Sequence, residues 1–177
     1  MPQNKQQRAS FEDLLNSTTR SAVHLEMRDD YGIAGEAEEF EQWKRTGEVD
    51  LDPGSEGWSR WTSLVQSAVA RGVVMRRARI ISEPVSEYIK YEHATTAVNV
   101  AVGEQVRWLP RRRASDIALP GNDFWLFDDR LVRFNHFTGD GDGAGFEYTE
   151  DQAIIKLCAN AFEAVWERAI PHEEYKV

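Results

Sequence analysis

Six side chains could combine at one site: Glu26, Arg28, Tyr31, Tyr91, Glu92 and Asp123. Residues 21–28 read Ser-Ala-Val-His-Leu-Glu-Met-Arg. Strand alternation puts His24, Glu26 and Arg28 on one side and Val23, Leu25 and Met27 on the other. A helix following residues 73–81 would bring Tyr88, Tyr91 and Glu92 over the polar side. The result would be a polar pocket. Arg28 would hold an anionic group, the carboxylates would accept from hydroxyl or amine donors, and the tyrosines would stack on or cap a small ligand. The plainer reading of these residues is a wet sheet face with cross-strand pairs.

Three other patterns suggest chemistry less strongly. Asp140-Gly-Asp142-Gly-Ala144-Gly145, with Asp151 further on, echoes a calcium loop. However, Ala144 and Asp151 stand where that loop wants an oxygen ligand and a bidentate Glu, and strands are expected on both sides. A turn fits better, and no cofactor is expected. Arg76, Arg77, Arg79, Arg107, Arg111, Arg112 and Arg113 form a basic set in which three adjacent arginines could clamp phosphate. A solvated face opposite the many carboxylates is the simpler expectation. His24, His93, His136 and His172 show no metal-ligand spacing, and no phosphate loop, Gly-x-Ser-x-Gly or Gly-x-Gly-x-x-Gly occurs.

The elements that would position these residues are legible. Residues 123–137 predict a central hairpin: Phe124-Trp-Leu-Phe127 is apolar on both faces, Asp128-Asp129-Arg130 turns, and 131–137 returns. Further strands are expected at 21–28, 73–81, 105–109 and 146–148. Helices are expected at 11–16 behind Ser10, at 35–46, at 58–71 ending on Gly72, from Pro84 towards Gly103, and from a Thr149–Gln152 capping box to Pro171. Strand, helix, strand over 73–109 predicts a right-handed parallel crossover. The 177 residues include six Trp and 41% hydrophobic residues, enough for one core. A net charge of −9 opposes nucleic-acid binding through bulk charge. Cys158 is the only cysteine, so no internal disulfide can form. No apolar run reaches membrane-spanning length, and residues 1–8 lack an apolar signal core.

Residues 104–169 resemble one half of a phospholipase D-like domain, on the strands Gln-Val-Arg-Trp-Leu, Asp-Phe-Trp-Leu-Phe-Asp and Leu-Val-Arg-Phe and the helix end Phe162-Glu-Ala-Val-Trp166-Glu-Arg-Ala169. That helix end is similar to the Phe-x-x-x-Trp-x-x-Ala closing helix of catalytically dead members that serve as sensor domains beside helix-turn-helix regulators. Active members carry His-x-Lys-x-x-x-x-Asp, whose His attacks phosphorus. With Asp128 as the final Asp, the His and Lys positions hold Gly121 and Asp123; with Asp129, they hold Asn122 and Phe124. Residues 11–175 also resemble a family of uncharacterised actinobacterial proteins, through His24-Leu-Glu-Met-Arg-Asp-Asp-Tyr31, Ser82-Glu-Pro-Val-Ser-Glu-Tyr88, Gly103-Glu, Asp123-Phe-Trp-Leu-Phe-Asp128 and the Trp166 helix. That resemblance implies genes placed near helix-turn-helix regulators and small partner proteins.

Together these readings predict a single α/β (α+β) domain with a mixed central sheet of about six strands and helices on both faces. Residues 1–9 are expected to form a disordered tail, 10–72 a strand with helices, and 73–177 the phospholipase D-like half. The expected function is a non-catalytic, cytoplasmic sensor or adaptor in transcription control, with a helix-turn-helix regulator or other small protein as partner and a small molecule as ligand. Membrane contact is not expected, and self-association into a homodimer is left open. Two alternatives remain: a degenerate phosphodiesterase using His24 or His136, and a DNA-associated regulator.

Overall fold

Strand β1 (Ser21–Glu26) is the middle of the sheet. In a computed structural model describing residues 9–32 and 36–177, it pairs in parallel with β2 (Val74–Ile81) and antiparallel with β4 (Phe124–Phe127). The sheet has seven strands in the order β6-β5-β4-β1-β2-β3-β7. The remaining strands are β3 (Gln105–Pro110), β5 (Leu131–Phe137), β6 (Gly143–Thr149) and β7 (Ile170–Pro171). The aromatic hairpin is therefore interior, as its two-faced apolarity requires, but β1 rather than the hairpin holds the centre.

Two parallel crossovers run in one direction, β1 to β2 through α2 (Ala37–Thr46) and α3 (Ser59–Ala70), then β2 to β3 through α4 (Glu87–Ala101). Crossovers of one hand put those helices on one face. α1 (Phe11–Ser17) joins them by packing on α3. The chain must then return from edge strand β6 to the opposite edge at β7. α5 (Gln152–Arg168) makes that return across the other face. Its 17 residues span about 26 Å, close to the ~29 Å of six strand spacings.

Side-chain alternation divides the core between the two faces. Val23, Leu25, Ala78, Ile80, Phe124, Leu126 and Val132 face α5 and pack on Ile155, Cys158, Phe162 and Val165. On the other face there are two apolar clusters. One gathers Leu15, Val65, Ala68, Met75 and Phe127, and the other gathers Tyr88, Ile89, Trp108 and Tyr175. Each fully buried large side chain, such as Phe162, contributes about 2 kcal/mol. Between the two clusters, the sheet face is polar.

Several expectations need correction. Among the described residues the two-residue strand β7 adds a seventh to the about six strands expected; it is too short to show a period. β1 ends at Glu26, so Met27 and Arg28 lie beyond it, and both of its faces are covered rather than one being wet. α4 begins at Glu87 behind the N-cap Ser86, and Pro84 stands before the helix in a cis peptide with Glu83. Asp151, not Thr149, caps α5 by accepting from the Ala153 and Ile154 amides. The expected start of the 35–46 helix at Gly35, and residues 1–8 of the expected tail, lie outside the described residues. The Asp140–Gly145 stretch holds the end of the β5–β6 turn and the first residues of β6, with Thr138 N–H donating to Asp142 O at 2.8 Å and Gly141 at φ 94°. Among the described residues, no group of three or more His, Cys, Asp or Glu is placed to hold a metal.

Candidate functional site

The polar part of the sheet is the floor of a cavity of about 650 Å³, roofed by α2, α3 and α4. Strand register sets the order of the floor. His24 lies opposite Arg77 on β2 and Trp125 on β4, and Trp125 lies opposite Arg133 on β5. One step along, Glu26 lies opposite Arg79. Asp123 follows at the end of β4, where its backbone carbonyl accepts from the Asn135 amide at 2.8 Å and its Oδ1 from the Met27 amide at 2.9 Å. The positions are two apart along each strand, so all eight side chains share one face.

Glu26 is the electrostatic centre. It accepts from Arg77 Nη1 at 2.9 Å and Arg79 Nε at 2.5 Å. Burial opposes its ionisation, but Arg79 and Arg77 outweigh that and hold its carboxyl well below the usual range. Arg77 also donates through Nε to Glu104 at 2.7 Å, and Asn99 Nδ2 donates to the second Glu104 oxygen at 2.7 Å. Arg79 reaches Thr96 Oγ1 at 3.0 Å and Glu92 Oε1 at 3.5 Å. Both guanidiniums are therefore committed within the protein.

Other groups on the wall are less well satisfied. His24 stacks on Trp125 with ring centroids 4.2 Å apart, and among the described residues neither ring nitrogen has a hydrogen-bond partner. Its Nδ1 lies 3.5 Å from Glu26, whose oxygens the arginines already take. Burial pulls the imidazole down to about 3, so it is neutral. Among the described residues Glu92 Oε2 and Asn135 Oδ1 also lack partners, as does Arg133 Nε. Burial pushes Glu92 up to about 8 despite Arg79, with Glu26 adding to the rise. Burial likewise raises Asp123 to about 6, although the Tyr31 hydroxyl donates to it. At the mouth, Tyr88 donates to Glu36 at 3.2 Å and Tyr91 to Glu39 at 3.4 Å.

The raised Glu92 sets a pH dependence. A carboxyl whose folded value lies above its unfolded one stabilises the fold below the unfolded value. That contribution is lost as pH rises through the folded value. Above pH 7 His24, His93 and His172, all lowered by burial, are neutral, which leaves Glu92 as the cavity carboxyl that titrates near 8. Unfolding free energy should fall by about 1 kcal/mol between roughly pH 7 and 8.5. Glu92→Gln should flatten that slope in urea denaturation series, and an unchanged slope in the variant would assign it elsewhere.

Of the six residues singled out in the sequence, Glu26, Tyr31, Tyr91, Glu92 and Asp123 line this cavity. Arg28 does not. Beyond the end of β1, its Nε donates to Asp30 O at 3.3 Å and its guanidinium lies over the Phe137 ring. The expectation of a solvated arginine set also fails for Arg77 and Arg79, which form the floor. Arg76 pairs with Glu163, Arg107 donates to Trp166 O, and Arg111 donates to Met27 O and Ile80 O. The parity of Met75, Arg77, Arg79 and Ile81 was the available signal: arginines in phase with buried apolar residues. No similar signal marked Arg133 or Asn135, because the floor extends to β5 only through cross-strand register.

The sheet order and the helices on its two faces define a phospholipase D-like fold. The structure is similar to the phospholipase D family member Nuc from Salmonella typhimurium, with a TM-score of 0.51 and 10% identity over 94% of this chain and 88% of that one. The chain belongs to the family described as domain of unknown function DUF6879, which matches residues 9–177. NucT from Helicobacter pylori gives a TM-score of 0.48 at 10% identity, over 90% of this chain and 87% of that one. The archaeal chromatin protein TrmBL2, described as showing a novel mode of DNA binding, gives 0.48 at 14%, over 90% of this chain and 48% of that one. Among curated proteins none matches the sequence. The likeness to Nuc covers nearly the whole chain rather than only the stretch from residue 104 onward, and at this identity it speaks for the fold alone. Among the described residues, no helix is long and apolar enough to cross a membrane.

Proposed function

We propose that the protein is a non-catalytic sensor or adaptor that holds a small molecule between its sheet and α2–α4. A partner protein, such as a helix-turn-helix regulator, would read the occupied state. One observation carries this reading: buried polar atoms of His24, Glu92, Arg133 and Asn135, without a partner among the described residues, all belong to residues lining one cavity of about 650 Å³. Leaving such a group unpaired costs about 1–3 kcal/mol, and a polar ligand would recover that cost. The partner class follows from the sequence resemblance. Native mass spectrometry of protein purified from its own host tests the reading. The expected result is an adduct that disappears on denaturation. A bare mass, with no thermal stabilisation by any compound of a metabolite library, would overturn it.

A second reading, phosphodiester hydrolysis, has one observation in its favour: His24 sits in the cavity 3.5 Å from a carboxylate. Against it, Arg77 and Arg79 are engaged by Glu26, Glu104 and Glu92, and an incoming phosphate would have to displace those carboxylates. Turnover of bis(p-nitrophenyl) phosphate that His24→Ala abolishes would establish hydrolysis.

A further inference from the structure

We propose that the cavity is made for an organic cation, a ring-bearing amine whose ammonium group is received by Glu92, Asn135 and His24 and whose ring lies against the lining tryptophans. This rests on the reading of the cavity as a ligand site and names the chemistry of its occupant.

Charge balance is the first argument. Five carboxyl groups line the cavity (Glu26, Glu36, Glu39, Glu92 and Asp123) against the guanidiniums of Arg77, Arg79 and Arg133. Glu26 is satisfied by two of these, and Arg77 spends its Nε on Glu104 behind the wall. Glu36, Glu39 and Asp123 meet tyrosine hydroxyls, and Glu92 has one long contact to Arg79. An anionic ligand would meet carboxyl groups whose nearby arginines are already engaged. A cation would supply the missing countercharge.

The unpartnered atoms give a second, independent argument. The His24 side chain is only 9% exposed and lines the cavity, yet neither of its nitrogens has a hydrogen-bond partner among the described residues. A neutral imidazole has one nitrogen that accepts. Among the described residues Asn135 Oδ1 is a second unfilled acceptor, and Glu92 Oε2 becomes a third once that carboxyl gives up its proton. The unfilled donors are the other His24 nitrogen and Arg133 Nε, and Arg133 is stacked over Phe146 at 3.6 Å. A ligand matching this inventory is rich in donors, as an ammonium group with three N–H bonds is. Trp58 and Trp61 add aromatic surface against which a ring can pack, while Trp125 is already stacked by His24. Because Glu92 is held largely protonated, an arriving ammonium would ionise it and release a proton.

The test titrates the full chain near pH 7 with phenethylamine, 2-phenylethanol and 3-phenylpropionate, which share a ring and differ in the end group. Tryptophan emission and calorimetry are the readouts. Phenethylamine is expected to bind saturably and at least about tenfold tighter than the alcohol or the acid. Glu92→Gln should weaken it about tenfold with the thermal midpoint preserved, since glutamine is an isostere of the protonated acid. Glu36→Gln, at the mouth, should weaken it about threefold. If the alcohol or the carboxylate binds as well as the amine, the cation assignment is overturned while the cavity stands as a ligand site. If no probe binds, the cation assignment is overturned too. The ligand reading then falls only if the native mass spectrum also shows no adduct.

Discussion

Glu26→Ala is expected to lower the unfolding free energy by about 3–5 kcal/mol, the cost of breaking a buried ion pair by removing one partner. The argument is one of stranded charge. Glu26 is 8% exposed, and Arg77 and Arg79 meet on its carboxylate. Without it, two guanidiniums face each other under α4. Arg77 retains Glu104 as a countercharge, and Arg79 retains Glu92 at 3.5 Å besides its neutral contact with Thr96. For a domain whose total stability is of order 5–15 kcal/mol, that loss brings the fold near its limit. Removing both sides should cost less: Glu26→Leu combined with Arg79→Leu replaces a buried pair with apolar bulk, which is often close to neutral. Urea midpoints at constant m value would measure both. A loss under about 1 kcal/mol for Glu26→Ala would mean that water reaches the arginines and that the network is not buried in solution. The sign with pH follows from the depressed carboxyl. Its stabilisation is present above the unfolded value of 4.5 and is lost as pH falls through the lower folded value.

This network shows where sequence reading succeeds and where it stops. Alternation within residues 21–26 separates Val23 and Leu25 from His24 and Glu26, and the structure separates them the same way, the first pair under α5 and the second in the cavity. The lengths of the 73–109 elements were enough to predict the parallel β2-α4-β3 crossover. A helix laid over β1 was also enough to bring Tyr91 and Glu92 to Glu26. Pairing partners were not legible. Only the parallel register of β1 with β2 puts Arg79 opposite Glu26, and a run of arginines read alone looks like a solvated face. Arg28 misled for a related reason. It has the parity of Glu26, but the chain has already left the sheet: Asp29 turns back to accept from the Ser82 amide at 2.7 Å and hydroxyl at 2.7 Å. Periodicity predicts facing only while the strand lasts.

Asp128 carries the second large effect. Alanine there should cost about 2–3 kcal/mol, although the residue is only half-buried and does not line the cavity. In one of the two frames of the phospholipase D resemblance it is the last aspartate of the motif, and here it is a structural anchor. Its carboxylate accepts from the backbone amides of Thr19 at 3.0 Å, Arg20 at 2.7 Å and Ser21 at 3.0 Å, while its own amide donates to Ser21 O at 2.8 Å. The hairpin turn is thus tied to the entry of the central strand. Burial would raise its carboxyl, but the amides of Ser21, Thr19 and Arg20 outweigh burial and leave it lowered. That stabilisation is present above the unfolded value of 3.8 and disappears as pH falls below it. Asp128 also sits at φ 51°, a left-handed conformation that aspartate and asparagine tolerate and alanine resists by about 1 kcal/mol. The two contributions separate by substitution. Asp128→Asn keeps the turn and one accepting oxygen and should cost about 1 kcal/mol, and Asp128→Ala loses both. Equal losses for the two variants, read from urea midpoints, would show that the charge alone matters. No loss in either would show that β1 enters the sheet without the hairpin's help.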